Sequence, residues 1–268
     1  MKVISLLNLK GGVAKTFTAV NMAYELYRRG YKVLLLDNDK QGNLSKAYGR
    51  YDAESVAPIT KLLSGEWQEA AELIQKTDYE GIDIVSANMS LMGATWKLTT
   101  EETGNQIERY KRLIDAAVLG HGWAVIDYLP IEQAYDYCII DNPPDIGLNV
   151  VNALTITDEV IVPVKIDEWA LEGLDILADQ IEYAKRYNPA LRLLGVLVTA
   201  YQNTDGEAAG REWLETEKNS YSLLGVIRYS GKVAESTFLF KPIYEYSPCC
   251  GAAQDYKKFV TRYTGKAR

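Results

Sequence analysis

"SLLNLKGGVAKTFTAVNMA", residues 5–23, runs from an apolar stretch through two glycines and a Lys-Thr pair into a segment with helical spacing. A loop that cradles phosphates has this order: a strand, a turn whose backbone N–H groups point inward at a helix N-terminus, a lysine for the β and γ phosphates, and a hydroxyl for Mg2+. Gly11, Gly12, Lys15 and Thr16 supply those parts. The general pattern G-x-x-x-x-G-K-[ST] also asks for glycine where this chain has Leu9 and Ala14. On its own the stretch therefore reads either as a plain strand-to-helix turn or as a variant phosphate loop, and its surroundings decide.

Around it, short β-branched or leucine-rich runs alternate with longer amphipathic pieces. The runs cover residues 2–9, 32–37, 82–87, 137–141, 160–164, 193–199 and 223–228. They are continuously apolar rather than alternating, as suits strands covered on both faces of a parallel sheet. Thr16 to Arg29 carries Val20, Ala23, Tyr24 and Tyr27 at helical spacing and meets Gly30, a C-terminal stop. The piece from 97 to 119 also reads as helical, although 88–134 gives no clear packing pattern. The expectation is an α/β fold: a doubly wound, mostly parallel sheet with helices on both faces and ligand groups at the carboxyl ends of the strands. No linker composition divides the 268 residues, so 1–268 is read as one domain.

Composition narrows the function. With 47% hydrophobic and 24% charged residues the chain can bury a large core. Its net charge of −7 predicts no general affinity for nucleic acid, so any DNA contact must come from a local basic patch. Cys138, Cys249 and Cys250 have neither disulfide-framework nor C-x-x-C metal spacing, and the single His121 sits in a turn-like stretch without a partner histidine. The N-terminal apolar run ends at the loop, too short for a membrane span and without a signal-peptide cleavage pattern, which points to the cytoplasm.

Two further segments favour the phosphate loop. "LLLDNDKQGNLS" ends the second strand with Asp37 and Asp39, expected on opposite faces so that one serves a metal and the other a water. "YDYCIIDNPPDIG" delivers Asp141 to the carboxyl end of another apolar strand, the place of a carboxylate that holds Mg2+ through water. Isolated carboxylates at strand ends are commonly caps or turn residues, but three in order after their own strands are not expected by chance.

These segments resemble the deviant Walker A ATPases of the ParA/MinD group, and within it the Soj-like partition ATPases, over nearly the whole chain. "KGGVAKT" is similar to the family's KGGVGKT, "LLLDNDKQGNLS" to LLIDLDPQGNLS, and "YDYCIIDNPP" to YDYIIIDTPP. The family usually lacks glycine at the place of Leu9, whereas Ala14 remains a departure. The resemblance implies that ATP and Mg2+ bind along Lys10, Gly11, Gly12, Val13, Ala14, Lys15, Thr16 and Phe17. It implies that Lys10 reaches a partner subunit's phosphates in an ATP-sandwiched homodimer, that Thr16, Asp37 and Asp141 serve the metal, and that Asp39 orients the attacking water. Lys40 replaces the family's proline after Asp39. For Ala14 the expectation is tolerance through right-handed helical dihedrals as the helix begins.

The same resemblance implies slow ATP hydrolysis, nucleoid association through non-specific DNA binding in the ATP state, and release by a ParB-like partner. Lys232 matches one of the family's basic DNA positions and Arg228 lies close by; a solvated pair of charges is the equally weighted reading. Because the chain starts at the first strand, no operator-binding segment is expected ahead of it. A MinD-like positioning ATPase is the alternative; it would need an apolar-faced basic helix at the C-terminus, where "AQDYKKFVTRYTGKAR" offers only Tyr256, Phe259, Val260 and Tyr263, so no membrane contact is expected. Two other classes are an iron protein, whose cluster cysteines are not matched here, and a P-loop synthetase or kinase with a small-molecule acceptor.

Overall fold

The strand ahead of the glycine loop, β1 (Lys2–Leu6), lies in the middle of the sheet. A computed structural model describes residues 1–100, 106–119, 128–216 and 221–265. The other strands are β2 (Val33–Asp37), β3 (Gln75–Lys76), β4 (Ile82–Val85), β5 (Ala117–Leu119), β6 (Tyr128–Pro130), β7 (Tyr137–Asp141), β8 (Glu159–Val164), β9 (Arg192–Tyr201) and β10 (Leu223–Arg228). The main sheet has the order β10-β9-β8-β1-β7-β2-β4-β3, with all neighbours parallel except the short antiparallel edge pair β3–β4. β5 and β6 form a separate antiparallel pair.

The helices are α1 (Lys15–Arg28), α2 (Asn43–Ala47), α3 (Pro58–Ser64), α4 (Ser90–Thr100), α5 (Arg109–Ile114), α6 (Ile131–Ala134), α7 (Leu148–Ile156), α8 (Glu168–Ala184), α9 (Asp205–Glu215), α10 (Gly231–Phe238), α11 (Ile243–Tyr246) and α12 (Gly251–Thr264). Period-two alternation explains the continuous apolar runs. Val33 and Leu35 pack with α1 and α12 residues such as Met22, Leu26, Tyr256 and Phe259 on one face. Leu34 and Leu36 face Ile59, Leu62, Tyr110 and Leu113 of α3 and α5 on the other. Further along, Val160, Val162 and Val164 meet Leu174, Leu177 and Ile181 of α8.

The doubly wound, mostly parallel sheet is as expected, and α1 stops at Gly30, whose N–H donates to Tyr27 O at 2.8 Å while Tyr31 N reaches Leu26 O. Among the described residues, the reading of 97–119 as helix holds only for 97–100 and 109–114. Helix α4 is described up to Thr100, residues 101–105 lie outside the described residues, α5 follows a turn at 106–107, and Ala117–Leu119 is a strand paired with Tyr128–Pro130. A partner strand supplied from ten or so residues downstream overrides local helical spacing there. Cys138 is buried in the core. His121 lies outside the described residues.

Candidate functional site

The chain leaves β1 at Leu6 and is pinned at once. Asn8 donates from Nδ2 to Pro163 O at 2.8 Å, and its Oδ1 accepts the Lys10 N–H at 2.9 Å, tying the loop to β8. Thr199 Oγ1 donates to Val13 O at 3.1 Å and ties it to β9. Gly12 takes φ 73°, a conformation with no steric penalty for glycine. The buried Lys15 ammonium donates to Asn8 O at 3.0 Å and Lys10 O at 2.9 Å, so it closes the loop from inside. Burial lowers the Lys15 pKa, against the pull of Asp141, Asp39 and Asp145.

Ala14 is not where the sequence put it. Its φ of 65° and ψ of 31° are left-handed, and it caps α1 without a side-chain hydrogen bond. A left-handed turn at that point aims the loop into the helix, and an L-residue with a Cβ holds it at a cost of about 1–2 kcal/mol. The tolerance expected from right-handed dihedrals is therefore replaced by strain accepted at the loop.

The three carboxylates separate into different environments. The strand ends at Asp37, so Asp39 is already in the turn; in a continuing strand a spacing of two would have put both on one face rather than on opposite ones. Asp37 is fully buried and occupied: its Oδ2 accepts Ser45 N at 2.8 Å and Ser45 Oγ at 2.6 Å, and its Oδ1 accepts Asp39 N at 3.2 Å. Burial pushes its pKa up to about 6, against those hydrogen bonds. Asp39 is half-buried at the rim, with Oδ1 accepting Gln41 N at 3.0 Å.

Asp141 lies beside Asp37 in the β2–β7 register, also buried, with neither carboxylate oxygen hydrogen-bonded. Burial and then the Asp37 charge hold its pKa well above the usual carboxylate range, while the Thr16 hydroxyl and Lys15 counter them. A buried carboxylate met only by a hydroxyl and a nearby lysine charge fits a hard cation such as Mg2+. Among the described residues no three acidic, histidine or cysteine side chains form a cage, so such an ion would also draw on phosphates and water.

A cleft of about 600 Å3 opens from the loop. Gly11, Gly12, Val13, Ala14, Lys15, Thr16 and Phe17 of the loop line it together with Asp39 and with Ile227, Arg228, Tyr229, Val233 and Phe240. Lys10 points elsewhere: its Nζ reaches both oxygens of Asp167 in the same chain, at 2.5 and 2.6 Å. Arg228 donates to Asp255 at 2.7 and 2.9 Å, and Lys232 to Glu235 at 2.8 Å. Both expected DNA contacts therefore already face a carboxylate. A second cavity of about 600 Å3 at the opposite end of the sheet holds Glu159, but Lys2, Arg192 and Tyr263 already bind that acid.

Sequence reading missed the group behind the carboxylates. Asn38 Nδ2 donates to Asn142 Oδ1 at 2.8 Å, Tyr110 OH donates to Asn38 Oδ1 at 2.7 Å, and Asn149 Nδ2 donates to Asn38 O at 3.0 Å. The available signal was paired: Asn38 and Asn142 stand where the resembled motifs have Leu and Thr, and they become neighbours only when β2 and β7 are adjacent.

A family model described as an AAA domain matches residues 1–193. The chain is 31% identical to the chromosome partitioning protein ParA of Caulobacter vibrioides, covering 100% of this chain and 96% of that one. It is 32% identical to the sporulation initiation inhibitor protein Soj of Bacillus subtilis, with 95% of each covered. Among solved structures, cobyrinic acid a,c-diamide synthase from Mycobacterium smegmatis with bound ATP analog and magnesium superposes with a TM-score of 0.77 at 25% identity, covering 99% of this chain and 97% of that one. Matched at these levels along its full length, the chain belongs to the ParA/MinD family of P-loop ATPases, together with the ParA and Soj partition proteins.

Proposed function

We propose that this ATPase is a DNA-partition switch: it binds ATP with Mg2+ in the cleft, pairs with a second copy around the nucleotide, holds DNA non-specifically in that state, and is released by a ParB-like partner. The single observation that carries the nucleotide end is Asp141, buried without a hydrogen bond beside a lysine-closed glycine loop. In this reading the loop N–H groups and Lys15 bind the phosphates, and the Thr16 hydroxyl and Asp141 hold the ion. Asp37 braces the turn that carries Asp39, and Asp39 holds the attacking water. Magnesium, when bound, supplies charge neutralisation on the phosphate oxygens. Lys10 would have to leave Asp167 to reach a partner's phosphates.

The partition reading is favoured over a membrane-positioning one by α12. Its Tyr256, Phe259 and Val260 are buried against the sheet, so the apolar face that a surface helix needs is already covered. No helix among the described residues is long and apolar enough to cross a membrane. The exposed side of α12 instead carries Lys257, Lys258 and Arg262. DNA binding measured with ATP, ADP and no nucleotide tests the reading. Binding is expected with ATP alone, weakening steeply with salt. Binding to liposomes in place of DNA, or phosphate transfer to a small acceptor, would reject it. Arg228→Glu with Lys232→Glu, compared with Lys257→Glu with Lys258→Glu, then identifies which patch sets the salt slope.

A further inference from the structure

Four described non-glycine residues have left-handed φ: Ala14 (65°), Ala200 (52°), Asn203 (59°) and Phe240 (52°). Three of them, Ala14, Ala200 and Phe240, line the same cleft. Backbone strain of this kind persists where the surroundings demand it and collects at ligand sites. Phe240 is the most demanding case, because a bulky side chain tolerates positive φ poorly.

Local structure explains the conformation but not the residue. Helix α10 closes with Phe240 N donating to Thr237 O at 3.1 Å and Lys241 N to Ser236 O at 3.0 Å. That closure needs one left-handed residue at position 240, which glycine or asparagine provides with little strain. Phenylalanine gains no compensating burial, since its relative exposure is 55%. Among the described residues its ring stacks on no other ring. The neighbouring Phe238 and Leu239 are exposed too, yet only Phe240 of the three lines the cleft. Phe240 thus stands more than half-exposed on the lining of the cleft that also takes in the glycine loop. Val20, Ile227, Val233 and Phe240 supply apolar lining to the same cleft, against which the base of a nucleotide with its phosphates on that loop would lie.

We propose that Phe240 presents an aromatic face to the heterocyclic base of the bound nucleotide, and that this contact is what keeps a strained phenylalanine at a helix stop. The inference rests on the nucleotide reading above and adds a base-positioning residue to it. Stacking of a base on an aromatic ring has a free-energy value that converts to roughly 5- to 150-fold in affinity.

The test is calorimetric binding of ATP and of tripolyphosphate, which has no base, to the full chain and to Phe240→Gly, Phe240→Asn and Phe240→Tyr. Glycine and asparagine satisfy the left-handed turn, so both variants should fold, with melting temperatures raised by about 2–4 °C. Both should bind ATP roughly 5- to 150-fold more weakly, with tripolyphosphate affinity unchanged. Phe240→Tyr should bind ATP as the parent does. ATP affinity within twofold of the parent in the glycine and asparagine variants overturns the proposal, and so does a parallel loss of tripolyphosphate affinity. A parent chain that binds neither ligand overturns the nucleotide reading itself, which is a separate result.

Discussion

At the scale of single residues, Ala14 shows how a site departs from what its sequence would choose. The loop enters α1 through a left-handed residue, and the strain of alanine there exceeds that of glycine by about 1 kcal/mol. Ala14→Gly is expected to raise the melting temperature by about 2–4 °C for a chain of this size, measured by calorimetry without nucleotide. ATP affinity should stay within about tenfold, because the loop is held in shape by Asn8, Thr199 and Lys15 independently of residue 14. If ATP binding appears only once glycine is present, the natural chain is a nucleotide-free member of its family and the switch reading falls. Phe240 follows the same logic for stability, but there glycine should weaken ATP binding.

At the scale of elements, the parallel register of β2 and β7 sets Asp37 beside Asp141, two carboxylates in one buried layer. Both have raised pKa values, Asp37 to about 6, so each keeps its proton in the folded chain at a pH where the unfolded chain has released it. The unfolded state then binds fewer protons, and this pair makes stability fall as pH rises from about 4 through 6. Asp141→Asn removes one of the charges while keeping a side-chain oxygen for the neighbouring Thr16 hydroxyl. The variant should match the parent near pH 4 and exceed it by about 1–3 kcal/mol at pH 7.5 in urea unfolding. It should also lose the extra stabilisation that Mg2+ with ATP gives the parent. A variant less stable than the parent at pH 7.5 would mean that the ionised carboxylate has a partner in the folded chain.

Elements also mark what the sequence made legible. Strands β1, β2, β4, β7, β8, β9 and β10 each correspond to an apolar run, because both sheet faces are covered and apolar runs are the imprint of that burial. The glycine loop and the three aspartates were legible as types in order. Their division of labour was not: Asp37 turned out to be occupied by Ser45, Lys10 by Asp167, and Arg228 by Asp255. Each of these partners is distant in sequence or in another element, so only the fold brings it near. The handedness of Ala14 was hidden because both dihedral solutions enter a helix, and the β5–β6 pair because its two short strands carry no pattern of their own.

At the scale of the whole molecule, a switch needs two states whose difference the nucleotide controls. Among the described residues of the single chain, Lys15 is the lysine that closes the loop, while Lys10 is turned onto Asp167 at the surface. An exposed pair of this kind contributes about 1 kcal/mol or less, so a bound phosphate group on a facing copy could draw Lys10 away at small cost. Pairing of two chains and release of Lys10 would then rise together with ATP, and hydrolysis would reverse both. Asp39 sits at the cleft rim, half-buried and braced through its N–H by Asp37, where it can act on water without contributing to the closure of the loop. Removing it should therefore separate assembly from turnover, because water positioning acts mainly in the transition state. Asp39→Ala is expected to bind ATP within about threefold of the parent and to hydrolyse it at least about a hundredfold more slowly. By light scattering it should accumulate as a dimer with ATP and remain a monomer with ADP, and its DNA complexes should persist after excess ATP is removed. Normal turnover would transfer the water-positioning role to another group. Loss of turnover without dimer accumulation would separate hydrolysis from assembly and leave the two-state switch without its lock.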